Sequence, residues 1–240
     1  MCFSIAFIET TPKSYVENYK PLTQVQNYFD TSFPAYYFVS AFEYPLLPIV
    51  TREKIQNSRW GLIPHWVKDA EQAAKIRTMT LNAKAETLFE KPSFKKSSYL
   101  NRCILGISGF FEWRDFNNRK IPYFISLKNS EWMSLACIFD EWIDVLTGEV
   151  LNTFSIVTTS ANSLMQKIHN TKQRMPLILT KENEKKWIDT SLTIAEIKKL
   201  MIPYPEEKMK AYTVSTFINS SQNNRNIPEA IFPVVYEGLD

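Results

Sequence analysis

Glycine, cysteine and histidine are scarce in this chain of 240 residues, with five, three and two copies respectively. None of the glycines forms the GxGxxG pattern or the P-loop that cradles phosphate groups in nucleotide-binding proteins. The cysteines and histidines lie too far apart to match the ligand spacing of zinc sites. These absences argue against nucleotide binding of those kinds and against a zinc centre, and we expect no cofactor.

Long apolar runs and a strong net charge are also missing. No hydrophobic stretch reaches the ~20 residues that a membrane-spanning helix needs. No secretory signal peptide accompanies the odd number of cysteines, which indicates a reducing compartment. The net charge is only +3, so any nucleic-acid site must be a local patch. The sequence predicts a cytoplasmic protein with no membrane association.

Strand-like segments and short amphipathic helices are spread over the whole chain. No tract has the composition of a linker and no internal repeat is present. Hairpin-type turns at residues 129–130 and 146–148 separate runs rich in β-branched and aromatic residues. We therefore predict a single domain over residues 1–240, of the α+β class, with a mainly antiparallel sheet.

The chain begins with Met1-Cys2, which is a potential aldehyde trap. Removal of Met1 would leave Cys2 with an α-amine and a thiol on adjacent carbons. An α-amine titrates at about 7.7–8.0 and a lysine at about 10.4, so the terminus holds far more neutral amine at pH 7. A strand predicted over residues 1–8 would hold Cys2 in place. The alternative is that Cys2 is simply a small buried hydrophobic residue.

Three polar residues further along the chain each have a structural and a chemical interpretation. Asn82 suits the N-cap of a helix that begins at Ala83. Glu112 lies among aromatic residues, where burial would raise its pKa toward the range useful for acid-base catalysis, or it is an outward salt-bridge partner. His169 at a helix end either complements the helix dipole or acts as a titratable group.

An aromatic residue with polar neighbours suggests a nucleic-acid contact. Trp66 follows His65 and precedes Lys68 by two positions. An aromatic face beside a cation is what a stacked base and its phosphate require. An ordinary packing role is the alternative for this tryptophan.

Taken in order, six segments resemble the SRAP (SOS response-associated peptidase) family. The first is Met1-Cys2 at the terminus. The others are WGLIPHW at residues 60–66, LNAKAET at 81–87, GFFEWR at 109–114, IVTTSAN at 156–162, and His169 followed by Arg174-Met175-Pro176. Their spacing covers most of the chain, and the set is specific where any one segment would be weak.

The resemblance implies a curved, barrel-like β-sheet core with peripheral helices, and covalent capture of abasic sites in single-stranded DNA. The ring-opened sugar of an abasic site presents an aldehyde, which the N-terminal cysteine of the family bonds as a thiazolidine. The expected partner is therefore single-stranded DNA that contains abasic sites. The resemblance also implies removal of its own initiator methionine, possible lyase activity, a role in the DNA damage response, a monomer, and association with the nucleoid when bound to DNA.

The resemblance also assigns residues. Cys2 is the nucleophile, and Asn82 orients its amine or the sugar by hydrogen bonding. Glu112 moves protons during imine formation and ring closure. His169 acts near the sugar oxygen and assists ring opening.

A second group of residues is implied to bind DNA. Lys84 and Arg174 hold the phosphates that flank the lesion, and Trp66 stacks against an exposed base. Thr158 adds a backbone or hydroxyl contact. A short patch of this kind agrees with the small net charge.

The chain departs from the family pattern at four places. One is Lys84, which stands where arginine is common and gives a point charge in place of a bidentate fork. Phe3-Ser4 stands where members often carry Gly-Arg, so a cationic phosphate contact is missing. The usual Asn-x-x-Pro element has no counterpart over residues 39–42. Three extra residues separate His169 from Arg174 compared with the commoner His-x-Arg spacing.

Two other functions fit parts of the same sequence. An N-terminal-nucleophile amidohydrolase or peptidase would use the Cys2 thiolate against an amide, with its own amine as the base. A non-covalent single-stranded DNA-binding module would use Trp66, Lys84 and Arg174 without any covalent step.

Overall fold

Twelve strands and six short α-helices make up the described part of the chain, which in this computed structural model comprises residues 2–8, 12–23 and 35–239. The strands are β1 (Ser4–Phe7), β2 (Tyr36–Ser40), β3 (Leu46–Val50), β4 (Ile55–Trp60), β5 (Asn82–Lys84), β6 (Arg102–Ile107), β7 (Gly109–Phe116), β8 (Arg119–Leu127), β9 (Met133–Ile143), β10 (Val150–Ser160), β11 (Arg174–Pro176) and β12 (Met209–Thr213). The helices are α1 (Pro12–Tyr19), α2 (Ala70–Arg77), α3 (Pro92–Leu100), α4 (Ser163–Ile168), α5 (Lys181–Trp187) and α6 (Ile194–Leu200).

Five of the strands close into a barrel. β4 pairs antiparallel with β3, β3 with β6, β6 with β9, and β9 with β10. The ring is completed by β10, which pairs in parallel with β4. Closure leaves no open edge between these five strands. The predicted α+β class with a curved, barrel-like and mainly antiparallel core is confirmed.

A second sheet packs against the barrel, in the strand order β12-β8-β7-β1-β2 with every neighbouring pair antiparallel. Ile5 and Phe110 from this sheet share one apolar cluster with Leu105 and Phe154 of the barrel. Burial of such side chains supplies the main driving force for joining the two layers.

The first strand lies inside this second sheet, between β2 and β7. Ser4 is opposite both Ser40 of β2 and Phe111 of β7. The Phe3 carbonyl oxygen accepts a hydrogen bond from the Ala41 amide at 2.8 Å. The strand predicted at the start of the chain is therefore confirmed, and Cys2 directly precedes an element that is held on both sides. Met1 lies outside the described residues.

The helix predicted from Ala83, with Asn82 as its N-cap, is wrong. Residues Asn82–Lys84 form β5, which pairs in parallel with β10 and places Lys84 opposite Thr158. Only a 3-10 turn follows, over Ala85–Thr87. The local alanine, lysine and glutamate pattern is a weak preference, and pairing with a long central strand overrides it.

Gly109, at the start of β7, has no room for a side chain. A Cβ atom there would lie 2.6 Å from the Ile125 carbonyl oxygen and closer still to the Phe124 ring. We expect Gly109→Ala to destabilise the protein by ~1–3 kcal/mol, because β7 would have to move away from β8. Thermal unfolding followed by circular dichroism measures this.

The control for this prediction is Gly148→Asn, in the turn between β9 and β10. Gly148 has a φ of +72° and no atom within 4 Å of a built Cβ. Asparagine tolerates that backbone conformation, so little change is expected. An unchanged unfolding temperature for Gly109→Ala would contradict the close approach of β7 and β8.

Candidate active site

Cys2 is completely buried at the entrance to β1, and its backbone is tied to the barrel. Its relative exposure is 0%. The Asn82 side-chain amide donates a hydrogen bond to the Cys2 carbonyl oxygen over 2.9 Å. Asn82 is itself fixed because it lies opposite Ile156 of β10. Asn82 thus ties the backbone of Cys2 to the strand that pairs with β10 of the barrel.

The thiol of Cys2 is held in its neutral form. Burial raises its pKa well above the usual range, and the carboxyl group of Glu112 raises it further. Glu112 reaches this region because β7 pairs with β1. A thiol in this state reacts as a thiolate only when a neighbouring group removes its proton.

Glu112 is a buried carboxyl group with an unusual titration range. It is 6% exposed, and burial raises its pKa to about 7. Desolvation disfavours the carboxylate, which is why the value rises. Both the acid and the carboxylate are therefore populated near neutral pH. The inward orientation, one of the two alternatives for Glu112 in the sequence, is the one that the fold adopts.

His169 follows α4 and approaches Glu112 as a neutral imidazole. Its Nδ1 lies 3.4 Å from a Glu112 carboxyl oxygen and 2.9 Å from the Arg174 carbonyl oxygen. Burial lowers the pKa of His169 to about 4. A carbonyl oxygen can only accept, so the hydrogen bond places the proton on Nδ1 and leaves Nε2 as a proton acceptor.

Arg174 connects the histidine to the neighbouring strands. Its guanidinium group forms an ion pair with Glu86 and donates a 2.7 Å hydrogen bond to the Thr158 carbonyl oxygen. Lys84 is exposed and lies opposite Thr158 in the β5–β10 ladder. The structure therefore brings Lys84, Thr158 and Arg174 to one place.

Trp66 lies apart from this group in sequence, on the loop between β4 and α2. The loop is anchored because the backbone amide and ring Nδ1 of His65 both lie 3.0 Å from a carboxyl oxygen of Asp140. The next residue, Val67, accepts a hydrogen bond from the Trp142 indole at 2.7 Å. Trp66 remains 42% exposed between these anchors.

The sequence did not single out Asp140 or the residues that hold the His169 turn. Asp140 is nearly buried, and its contact with His65 depends on a strand 75 positions away. Lys172, in the turn after His169, helps to lower the pKa of both Glu112 and His169. In the sequence, the feature that pointed to Lys172 was the unusual length of the segment between His169 and Arg174.

Within residues 2–8, 12–23 and 35–239, no cluster of three or more His, Cys, Asp or Glu side chains is placed to hold a metal ion. In the same residues, no helix is both long and apolar enough to cross a membrane.

The fold is a closed barrel with a second sheet, and it brings a buried cysteine at position 2 together with an asparagine, a carboxyl group and a neutral histidine. The family model of the SOS response associated peptidase, SRAP, matches residues 1–221. The chain therefore belongs to the SRAP family.

Several relatives share this fold or sequence. The abasic site processing protein YoqW of Bacillus subtilis is 42% identical over 183 residues, which are 75% of this chain and 77% of that protein. The abasic site processing protein HMCES of Gallus gallus is 32% identical over 201 residues, covering 75% of this chain and 57% of that protein. A crystal structure of a protein from Bacteroides thetaiotaomicron has a TM-score of 0.88 at 42% identity, covering 98% of this chain and all of the other.

Proposed function

We propose that this protein processes abasic sites by binding single-stranded DNA and forming a covalent crosslink through Cys2 after removal of Met1. The observation that supports this proposal most strongly is the arrangement around Cys2. Its carbonyl oxygen is hydrogen-bonded to Asn82, and it lies beside Glu112, which in turn contacts His169. The names of the curated relatives, abasic site processing proteins, point to the same class of substrate.

The proposed crosslink is a condensation between an aldehyde and a 1,2-aminothiol. The Cys2 α-amine attacks the aldehyde carbon of the opened sugar, and loss of one water gives an imine. The thiol sulfur then adds to the imine carbon while its proton is transferred to the imine nitrogen. The product is a thiazolidine, and water is the only molecule released.

Glu112 has the titration range that these steps need. With a pKa of about 7 it is present as an acid, which protonates the departing hydroxyl group, and as a carboxylate, which accepts the thiol proton. His169 presents Nε2 as an acceptor for a sugar hydroxyl proton, which assists ring opening. Asn82 positions Cys2 through its backbone.

The raised thiol pKa favours this chemistry over an N-terminal-nucleophile amidohydrolase. An amidohydrolase must begin with attack by the thiolate, which burial disfavours at Cys2. Condensation with an aldehyde begins with the amine and needs the sulfur only in the second step. Release of ammonia or an amino acid from glutamine-like substrates is the result that would support the amidohydrolase instead.

The DNA strand is proposed to follow the residues around the cysteine. Lys84 and Arg174 neutralise phosphates, Thr158 adds a polar contact, and Trp66 stacks on an exposed base. The Glu86 carboxylate already binds Arg174, so this arginine contributes a fixed and partly neutralised charge. Autoproteolytic removal of Met1 and strand cleavage as a lyase belong to the same proposal.

The direct test is incubation of the purified protein with a single-stranded oligonucleotide that carries one abasic site. Intact-mass spectrometry first establishes that Met1 is absent. We expect an adduct that survives denaturation, with the mass of protein plus DNA minus one water. Controls are the same oligonucleotide with an intact base and with a tetrahydrofuran analogue, which has no aldehyde. Absence of the adduct from the protein that lacks Met1 would overturn the proposal.

Asn82→Ala tests how Cys2 is positioned. Loss of the hydrogen bond to the Cys2 carbonyl oxygen is expected to slow adduct formation about tenfold, because a bond of this kind contributes ~1 kcal/mol or slightly more. Adduct formation is measured under single-turnover conditions. Asn152→Ala, which changes an asparagine on β10 that faces Gln56, is the control. Equal rates for both variants and the wild type would show that Asn82 has no positioning role.

A further inference from the structure

Two positions at which the chain departs from its family pattern meet in space. Phe3 replaces a residue that follows the N-terminal cysteine, and Phe42 lies at the end of the segment that lacks the usual Asn-x-x-Pro element. Their ring centroids are 5.2 Å apart, with an angle of 32° between the ring planes. Phe3 is partly buried against the core, while Phe42 is 62% exposed.

The backbone beneath Phe42 is firmly held. The Ser40 hydroxyl accepts a hydrogen bond from the Phe42 amide at 3.3 Å and caps the 3-10 turn Ala41–Glu43. Tyr44 closes that turn with a φ of 50°, and its amide bonds the Ala41 carbonyl oxygen. The exposed ring is therefore presented by a fixed turn that is joined to β1 through the Ala41–Phe3 hydrogen bond.

The charges next to Phe42 suit an approaching DNA strand. Glu43 is the acidic neighbour, and Arg225 neutralises it in a 2.9 Å ion pair. On the other side, Tyr44 carries the Arg77 guanidinium over its ring at 4.0 Å. The exposed ring thus has one neutral ion pair and one guanidinium group, that of Arg77, among its neighbours, which suits a base with its phosphate.

We propose that Phe42, supported by Phe3, is a stacking platform for the nucleobase next to the abasic sugar. This inference rests on the proposed function, because Phe3 directly follows Cys2 and the lesion must lie at Cys2. An abasic sugar leaves its neighbouring base without a stacking partner on one side, and an exposed aromatic ring replaces that partner. Every base has an aromatic face, so the contact accepts any sequence and is stronger for purines, which have the larger rings.

The test uses an oligonucleotide with a tetrahydrofuran abasic analogue, so that binding does not depend on the covalent step. The fluorescent base 2-aminopurine is placed on the 5′ side of the analogue in one oligonucleotide and on the 3′ side in another. We expect wild-type protein to change the fluorescence strongly at one of the two positions. Phe42→Ala should abolish that change and weaken binding about 5- to 150-fold, the range for loss of one base stack.

Two further variants separate stacking from a structural effect. Phe42→Trp should retain both the affinity and the fluorescence change, whereas Phe42→Leu, which keeps an apolar side chain and removes the ring, should lose the change. Leu146→Ala is the control, because Leu146 is another exposed apolar residue, in the turn between β9 and β10.

The outcomes also separate this inference from the proposed function. Suppose that the wild-type protein changes the fluorescence at one position and that Phe42→Ala and Phe42→Leu give the same change with unaltered affinity. This result would refute the stacking role of Phe42. The same holds if neither position responds in the wild type. The natural abasic oligonucleotide provides the other arm: a wild-type protein that forms no adduct refutes the proposed function, whereas a normal adduct with an unimportant Phe42 refutes the platform alone.

Discussion

Cys2→Ala is expected to abolish the denaturation-resistant adduct with abasic DNA while leaving non-covalent DNA binding nearly unchanged. Methionine aminopeptidase removes Met1 before a small residue such as alanine and does not need the Cys2 thiol, so the variant still provides an α-amine at position 2, which intact-mass spectrometry verifies. The amine can form the imine, but without sulfur the ring cannot close, and the imine hydrolyses when the sample is denatured. The measurement is gel electrophoresis under denaturing conditions, together with fluorescence anisotropy for binding.

A parallel reaction with borohydride distinguishes the imine from the thiazolidine. Reduction converts the imine into a stable amine, so Cys2→Ala should give an adduct only when borohydride is present, whereas wild type gives one without it. Cys103→Ala is the control, since Cys103 is another buried cysteine that lies opposite Cys137 within the barrel. A spontaneous adduct with Cys2→Ala at the wild-type level would refute the assignment of Cys2 as the crosslinking residue.

The same variant separates two of the functions considered. A non-covalent single-stranded DNA-binding module predicts that Cys2→Ala and wild type behave alike in every assay, including under denaturing conditions. The crosslinking proposal predicts that they differ only in the covalent product. Equal behaviour with no adduct in either protein would leave the binding module as the better description.

Strands such as β1 could be predicted from the local sequence, but the closure of the barrel could be anticipated only through the family resemblance. Local alternation of apolar and polar residues indicates a strand without saying which strand it pairs with. Closure depends on β10, which pairs antiparallel with β9 and in parallel with β4. The parallel pair joins residues more than 90 positions apart, such as Trp60 and Phe154. No local pattern records a contact over that distance.

The orientation of Glu112 depends on the same kind of long-range pairing. Strand alternation allows Glu112 to face inward or outward, and either choice is compatible with its aromatic neighbours. The pairing of β7 with both β1 and β8 fixes the inward orientation. The sequence therefore offered an acid-base role for Glu112 as one of two alternatives. Only the three-dimensional structure shows which of the two orientations the side chain adopts.

The longer segment between His169 and Arg174 is accommodated as a clamped turn. The Asn170 side chain accepts a hydrogen bond from the Asp115 amide and donates one to its carbonyl oxygen, at 3.1 and 2.9 Å. Gln173 adopts a φ of 48°, and its amide bonds back to the His169 carbonyl oxygen. The extra residues bulge over β7, so His169 still reaches both Arg174 and Glu112. Spacing in the sequence alone gave no means of seeing this.

Glu112→Gln is expected to slow adduct formation about 10²- to 10⁴-fold at pH 7, the usual contribution of a general acid-base group. Glutamine keeps the shape and polarity of the side chain but can neither donate nor accept a proton in the steps proposed. Single-turnover rates of adduct formation measure the effect. Glu149→Gln is the control, since Glu149 is an exposed carboxylate beside the turn between β9 and β10.

The pH dependence provides an independent check on Glu112. The charged or titratable groups that act on it include the N-terminal α-amine, the Lys172 ammonium group, the Cys2 thiol and His169. The pKa of His169 is about 4 and that of the thiol is far above neutral, so neither changes charge between pH 6 and 8. The wild-type rate should therefore have an inflection near pH 7 that disappears in Glu112→Gln, whereas the inflection of the attacking α-amine at about 7.7–8.0 should remain. An unaltered inflection in the variant would assign the titration to another group.

Folding stability should report the same carboxyl group with a defined sign. The pKa of Glu112 is about 7 in the folded protein and 4.5 ordinarily, so the folded state binds the proton more tightly. The stabilisation is fully present below pH 4.5 and is lost as the pH rises through 7, in total ~3 kcal/mol. Denaturant unfolding between pH 5 and 8 should therefore give a smaller loss of stability for Glu112→Gln than for wild type. Parallel stability curves would mean that Glu112 is already ionised in the folded protein, and its role as a proton donor at pH 7 would fail with it.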